Sequence, residues 1–257
     1  MPDPILPGAE PYSASGGPSG VLVLHGFTGT PQSMRPLAEA FAAAGFTVEL
    51  PLLPGHGTSP EDLAETGWPD WARAAEEALA KLQGRCEKIV VAGLSVGAAL
   101  ALHLAMHNRG LAGLVLVNPG VGRIPDEQVA QLRGALDARV QFIPSIGGDI
   151  ADPDAKELAY DRVPIAAALS LAEPVDQLRA QLAEVRCPVL LLASAEDHVV
   201  PAEAADTVAA GVSGPVERVP LARSYHVATL DYDRTELEER AVAFARRVVA
   251  ADEVPAG

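Results

Sequence analysis

Five residues, Gly93-Leu94-Ser95-Val96-Gly97, carry the clearest chemistry in this sequence. An apolar run, Lys88 to Ala92, leads into them and an alanine-rich helical pattern leaves them. Strand, sharp turn and helix in that order present a serine oxygen as a nucleophile at a helix N-terminus. The glycines have a steric task, because the turn forces Ser95 into a sparsely populated backbone conformation and a side chain at 93 or 97 would collide with the neighbouring strand or helix. A serine hydroxyl is a poor nucleophile at neutral pH, so it needs a general base within reach and an acid to orient that base. Both are expected downstream, just after strands. The run Pro188 to Ser194 ends in Ala195-Glu196-Asp197-His198, and the run around Val216 to Pro220 ends in Ser224-Tyr225-His226. Asp197 and His226 fit the two roles. Glu196 is the alternative acid, and Asp197 is favoured because Val199-Val200-Pro201 follows it and restarts the chain into a helix.

Attack by Ser95 would leave negative charge on a former carbonyl oxygen, which two preorganised backbone N–H donors can stabilise. The residue after the nucleophile, Val96, supplies one. The loop His25-Gly26-Phe27-Thr28-Gly29 follows the strand Val21 to Leu24 and offers Phe27 as the second, with Gly26 and Gly29 permitting close approach. The remaining histidines have plainer readings. His103 and His107 lie four apart on a helix, a spacing that suits a metal, but no third ligand is near and a packed or solvated face is expected. His198 adjoins Asp197 and is assigned a loop or cap role, and His56 in Pro54-Gly55-His56-Gly57 a turn that satisfies local backbone groups.

These residues need a frame. Strands are expected at Gly20 to Leu24, Thr47 to Leu50, Lys88 to Ala92, Gly113 to Asn118, Val189 to Ala193 and Val216 to Val219. Helices are expected at Ser33 to Ala44, Pro69 to Gly84, Ala98 to His107, Pro201 to Ala210 and Glu236 to Ala250. Such alternation is the sequence form of a mostly parallel α/β sheet with helices on both faces. From Pro119 to Arg186 no clear strand is visible, only helical pieces such as Asp126 to Val140 and Asp154 to Tyr160. An insertion after a strand's carboxyl end lies over the ligand crevice, so residues 119–186 are read as a cap on a single domain spanning 1–257. Its apolar residues Ile124, Val129, Leu132, Leu136, Val140, Phe142, Ile143 and Ile146 would line or cover a path to the serine, or form an ordinary cap core.

Composition excludes several classes. The net charge of −15, from 19 basic and 34 acidic residues, argues against nucleic acid or an anionic membrane as partner. Cys86 and Cys187 are too few for a disulfide framework and lack metal-ligand spacing, so free thiols are expected. The first twenty residues are acidic and proline-rich where a signal peptide would be basic and then apolar, and no later run has the length a bilayer requires. A soluble, cytoplasmic protein is the expectation.

Five segments together carry a family resemblance: HGFTGTPQSMRPLAEAFAAAGFTVELPLLPGHGTSPEDL (His25 to Leu63), GLSVGA (Gly93 to Ala98), DPDAKELAYDRVP (Asp152 to Pro164), EDHVVP (Glu196 to Pro201) and SYHVATLDYD (Ser224 to Asp233). From about Gly20 to Arg247 the chain resembles the bacterial monoacylglycerol lipases and their close carboxylesterase relatives, in the α/β-hydrolase fold. The resemblance implies Ser95 as nucleophile, Asp197 as acid, His226 as base, and the N–H groups of Phe27 and Val96 as the oxyanion hole. It further implies a capped acyl tunnel and a small polar pocket for glycerol, to which Glu157 is assigned, with Ile146 along the acyl path. The substrate expected is a small lipid ester, with transient contact with lipid aggregates, no metal or organic cofactor and no obligate protein partner. The alternatives are a broad carboxylesterase and a non-catalytic relative that binds a ligand in the same pocket. Those relatives typically read GLSMGG, so Val96 and Ala98 are departures, and the stiff side chain of Val96 is expected to reshape the acyl pocket.

Overall fold

The computed structural model describes residues 3–251; Met1, Pro2 and 252–257, which the expected domain span includes, lie outside the described residues. The N-terminal half gives β1 (Tyr12–Ala14), β2 (Ser19–Leu24), α1 (Pro31–Ala43), β3 (Thr47–Leu50), α2 (Pro60–Ala64), α3 (Trp68–Gln83), β4 (Lys88–Leu94), α4 (Val96–His107) and β5 (Gly113–Val117). Next come α5 (Asp126–Asp137), β6 (Phe142–Pro144), β7 (Arg162–Pro164), α6 (Ile165–Leu169) and α7 (Ala172–Gln181). The chain closes with β8 (Val189–Ser194), α8 (Glu203–Gly211), β9 (Val216–Leu221) and α9 (Arg234–Ala250).

Among the described residues the main sheet has seven strands in the order β1-β3-β2-β4-β5-β8-β9, all parallel except the antiparallel edge strand β1. Its strands are apolar on both sides because both faces are covered. On one face Val21, Val23, Val90, Val115 and Leu190 pack against α1 and α9. On the other, Leu22, Val91, Leu116 and Leu191 pack against α3, α4, α7 and α8. Helix α4 is buried on nearly every side, from Val96 to Leu102 without a break, which its alanine-rich sequence permits. The helix after Thr30 starts at Pro31, two residues earlier than expected, because the Thr30 hydroxyl accepts the Gln32 N–H and Pro31 occupies the first turn. No helix among the described residues is long and apolar enough to cross a membrane.

Three expectations need correction. The first twenty residues, ahead of the first expected strand, contain β1, whose Tyr12 pairs with Leu50. The stretch between Pro119 and Arg186 does hold strands, since β6 and β7 pair as a small antiparallel ribbon, Ile143 opposite Val163. Three-residue strands are too short for periodicity to declare. Asp154 to Tyr160 is not helical, because other elements take its backbone groups. Gln32 bonds through its amide to the Lys156 carbonyl and the Leu158 N–H, each at 3.0 Å, and the Tyr160 N–H donates to the Thr28 carbonyl at 3.1 Å.

The loop after β2 rests on a seam of rings. His25 and His56 meet edge to face at 5.0 Å, and His56 lies 5.5 Å from Trp71, which also packs on Phe27. His25 is held neutral by its bonds: Nδ1–H donates to the Gly26 carbonyl at 2.9 Å and Nε2 accepts the Leu53 N–H at 3.1 Å. Nδ1–H of His56 donates to the Pro54 carbonyl at 3.0 Å, the local backbone role expected for it. Burial lowers both pKa values, His25 to about 4 and His56 to about 3.

Two outcomes follow from this packing. A Cβ at Gly97 would sit 2.6 Å from the His25 carbonyl oxygen and closer still to that of Leu24, so Gly97→Ala should lower stability by about 2 kcal/mol or more in urea titration. Both histidines bind fewer protons folded than unfolded, so their contribution is complete above pH 6.5 and is lost as pH falls toward 4 and below. Thermal midpoints measured from pH 7 to pH 4 should therefore fall steadily, and a flat profile would show that the pair is solvated in the native state.

Candidate active site

Ser95 stands between the end of β4 and the first residue of α4, with φ 56° and ψ −118°. That conformation is reached because Gly93 leaves room for the Gly97 carbonyl and Gly97 for the carbonyls of β2. Gly120 completes the enclosure: a Cβ there would come within 2.9 Å of the Val96 nitrogen. The Ser95 N–H donates to the Val117 carbonyl at 3.0 Å, and the Gly120 N–H returns to the Ser95 carbonyl at 2.9 Å. The Ser95 backbone is thereby fixed to β5.

His226 and Asp197 meet with the imidazole Nδ1–H donating to Asp197 Oδ2 at 2.8 Å, both side chains under a tenth exposed. The other carboxylate oxygen of Asp197 accepts the N–H groups of Val199 and Val200 at 2.8 and 2.7 Å. Burial alone would raise the Asp197 pKa, but the bonds from His226 and these two amides outweigh it and hold the group ionised below its ordinary value. With Nδ1 committed, Nε2 of His226 is the atom left to take a proton. Glu196 is exposed and has no part in this pair.

The loop after β2 brings Gly26 close to the serine, where a Cβ would stand 3.4 Å from that of Ser95. Thr28, next to Phe27, has φ 63°, a strained conformation for a β-branched residue. Its carbonyl bond to the Tyr160 N–H helps to hold it there. Phe27, Ser95, Val96 and His226 all line one cavity of about 580 Å³. The walls are mainly apolar and include Ile124, Ile143 and Ile146 from the insertion. Glu157 stands at the polar side of the same cavity, its Oε2 accepting the Gly148 N–H at 3.1 Å and its Oε1 occupying the space that Gly29 leaves free. Burial raises the Glu157 pKa. Val129 faces instead a separate outer groove between α5 and α7, and Val140 is exposed.

Sequence reasoning missed several wall and support residues. Val163, Leu171 and Val175 line the cavity, from β7 and the start of α7, neither of which is among the expected elements. Asn118, at φ 42°, joins three segments: its carbonyl oxygen accepts the Ser194 N–H at 2.7 Å, and its amide donates to Ser194 Oγ at 2.9 Å and to the His226 carbonyl at 2.7 Å. An asparagine directly after a buried strand was the available signal, since it tolerates positive φ and can bond backbone on both sides. His103 pairs with Glu76 at 2.9 Å and stacks near His107. Among the described residues no three His, Cys, Asp or Glu side chains gather to hold a metal ion.

The chain is 48% identical over 242 residues to a thermostable monoacylglycerol lipase of Bacillus sp. (strain H-257), covering 94% of this chain and 96% of that one. It is 25% identical to a carboxylesterase of Bacillus subtilis (strain 168), covering 93% and 97%. A solved structure from work on LipS and LipT, two metagenome-derived lipolytic enzymes, superposes with a TM-score of 0.91 at 41% identity, covering 95% of this chain and all of that one. Residues 21–240 match the alpha/beta hydrolase family model. With that match spanning most of a chain built on a mostly parallel sheet, the chain belongs to the alpha/beta hydrolase family.

Proposed function

We propose that this chain is a serine hydrolase that cleaves the ester bond of monoacylglycerols through an acyl-enzyme. The observation that carries the reading is the Asp197–His226 pair at 2.8 Å, with His226 lining the same apolar-walled cavity as Ser95 and the recessed carboxyl of Glu157. His226 takes the Ser95 proton through Nε2 as Oγ attacks the ester carbonyl, and ionised Asp197 stabilises the imidazolium. The N–H groups of Phe27 and Val96 receive the developing oxyanion. His226 then protonates the glycerol oxygen as it leaves, and water, activated by the same imidazole, releases the fatty acid. Residues 119–186 act as the cap of a single domain, with Ile146 along the acyl path and Glu157 as the glycerol contact. The reading draws support from the lipase at 48% identity. The substrate is a small lipid ester, met alone or at the surface of an aggregate. The two free cysteines, Cys86 and Cys187, suit a reducing compartment such as the cytoplasm.

A broad carboxylesterase is the second reading, favoured by the match to such an enzyme at 25% identity and by the substitution of Val96 in the elbow. Initial rates on mono-, di- and triacylglycerols of one medium chain length, beside simple alkyl esters and with Ser95→Ala as blank, separate the two. The expected result is a sharp preference for the monoacylglycerol and no turnover by Ser95→Ala. A flat or short-chain profile selects the carboxylesterase, and activity in Ser95→Ala overturns the site. Glu157→Gln should raise KM for monoacylglycerol by about 10-fold, the cost of one hydrogen bond to a charged or strongly polar partner, and leave a simple alkyl ester unaffected.

A further inference from the structure

Between the acid loop after β8 and the base loop after β9 stands a carboxylate that belongs to neither. Asp149 lies in the insertion, and its side chain is 11% exposed. Its Oδ2 accepts the backbone N–H of His198 and that of His226, each at 3.1 Å. Its Oδ1 accepts Nδ1–H of the His198 ring at 2.8 Å, and its carbonyl accepts the Val227 N–H at 3.0 Å. The base loop answers with Asp231, whose carboxylate accepts the N–H groups of Ala151, Asp152 and Tyr225 at 2.8, 3.1 and 2.8 Å. Residues 149–152 and the base loop are thus joined in both directions.

The two amides that share Asp149 Oδ2 sit at telling places. One belongs to the residue after Asp197 and the other to His226 itself. Sheet pairing of β8 with β9 ends at Ser194 and Leu221, short of both residues, so the sheet alone does not fix the separation of the two loops. A single oxygen bonded to both does. The outer oxygen meets the exposed His198 ring, whose pKa is raised first by that bond and then by the charge of Asp149. His198 also packs edge to face on Tyr225 at 4.6 Å. The cap role expected for His198 is therefore a bond to the insertion.

We propose that Asp149 is a positioning residue for ester hydrolysis: from the insertion, it holds the acid and base loops at the spacing that keeps Asp197 bonded to His226. The inference rests on the triad reading above. It makes the insertion part of the catalytic apparatus, because detaching residues 149–152 would release the base as well as uncover the cavity. A staple needed only for folding would lower stability and leave turnover per folded molecule unchanged. A positioning residue lowers kcat and spares KM, since misplacement of a catalytic group by about 1 Å costs up to ~10²-fold.

The test is kcat and KM on a water-soluble short-chain ester for wild type, Asp149→Ala, Asp149→Asn and Ser95→Ala, each checked for native thermal unfolding. The downfield proton resonance of the Asp197-bonded imidazole reports the pair directly. Asp149→Ala should lose kcat by ~10- to 10²-fold with KM within about twofold, and should broaden or lose the resonance. Asp149→Asn keeps one acceptor oxygen and should lie between it and wild type. Where Asp149→Ala does not fold, Asp149→Asn carries the test, with a reduced kcat at unchanged KM expected. A folded variant with wild-type kcat, or a loss confined to KM, overturns the proposal while inactive Ser95→Ala leaves the triad standing. Activity in Ser95→Ala overturns the triad itself.

Discussion

Ser95 sits at φ 56° and ψ −118°, a conformation an L-residue adopts only when its surroundings leave no other. Much of the active-site end of the molecule serves that constraint. Strand β4 must end and α4 begin within a residue, so β2 and α4 approach until only hydrogen fits at Gly93 and Gly97. The turn after β5 closes over the serine at Gly120. What emerges is a hydroxyl at a helix N-terminus whose place is set by backbone contact with three neighbouring segments. Backbone of this kind varies little with side-chain motion, which is what attack at a defined angle demands.

Asp197 and His226 lack such enclosure. They stand on loops beyond the carboxyl ends of β8 and β9, where the sheet no longer supplies hydrogen bonds, and polar side chains replace it. Asn118 reaches from β5 to Ser194 and to the His226 carbonyl, Asp149 to the His198 and His226 amides, and Asp231 to the insertion. Buried and half-buried carboxylates at this end accept backbone N–H groups that would otherwise be unpaired, a role that lysine or arginine has no means to fill. Part of the excess of acidic residues thus has a structural use that composition alone does not reveal.

The insertion has two tasks with different physical requirements. Ile124, Ile143 and Ile146 give the cavity its apolar wall, which needs volume and little direction. Asp149, Glu157 and Tyr160 need direction, and each is bonded to backbone of the body or of the insertion: Tyr160 to Thr58 and Gly55, Glu157 to Gly148. Directional bonds explain why the segment around Lys156 to Tyr160 lies beside Gln32 and Thr28 and is not a helix.

The sequence by itself determined the parts whose chemistry is local. Long apolar runs and alanine-rich helices mark the parallel sheet, GLSVG the strained turn at Ser95, and EDH and SYH the loops on which Asp197 and His226 meet, because backbone strain, burial and strand order leave marks within a few residues. Val199 and Val200, which follow Asp197, donate to its carboxylate, and it is Asp197 rather than Glu196 that bonds His226. Only the assembled fold sets β1, the three-residue ribbon of β6 and β7, the non-helical path of 154–160, and the bonds that Asn118 and Asp149 make. These depend on partners well beyond the reach of a local pattern, and neither periodicity nor a short motif encodes which distant amide a side chain will meet. The difference is one of range: steric and hydrophobic patterns are written along the chain, whereas the hydrogen bonds that hold one loop to another exist only once the sheet has brought the loops together.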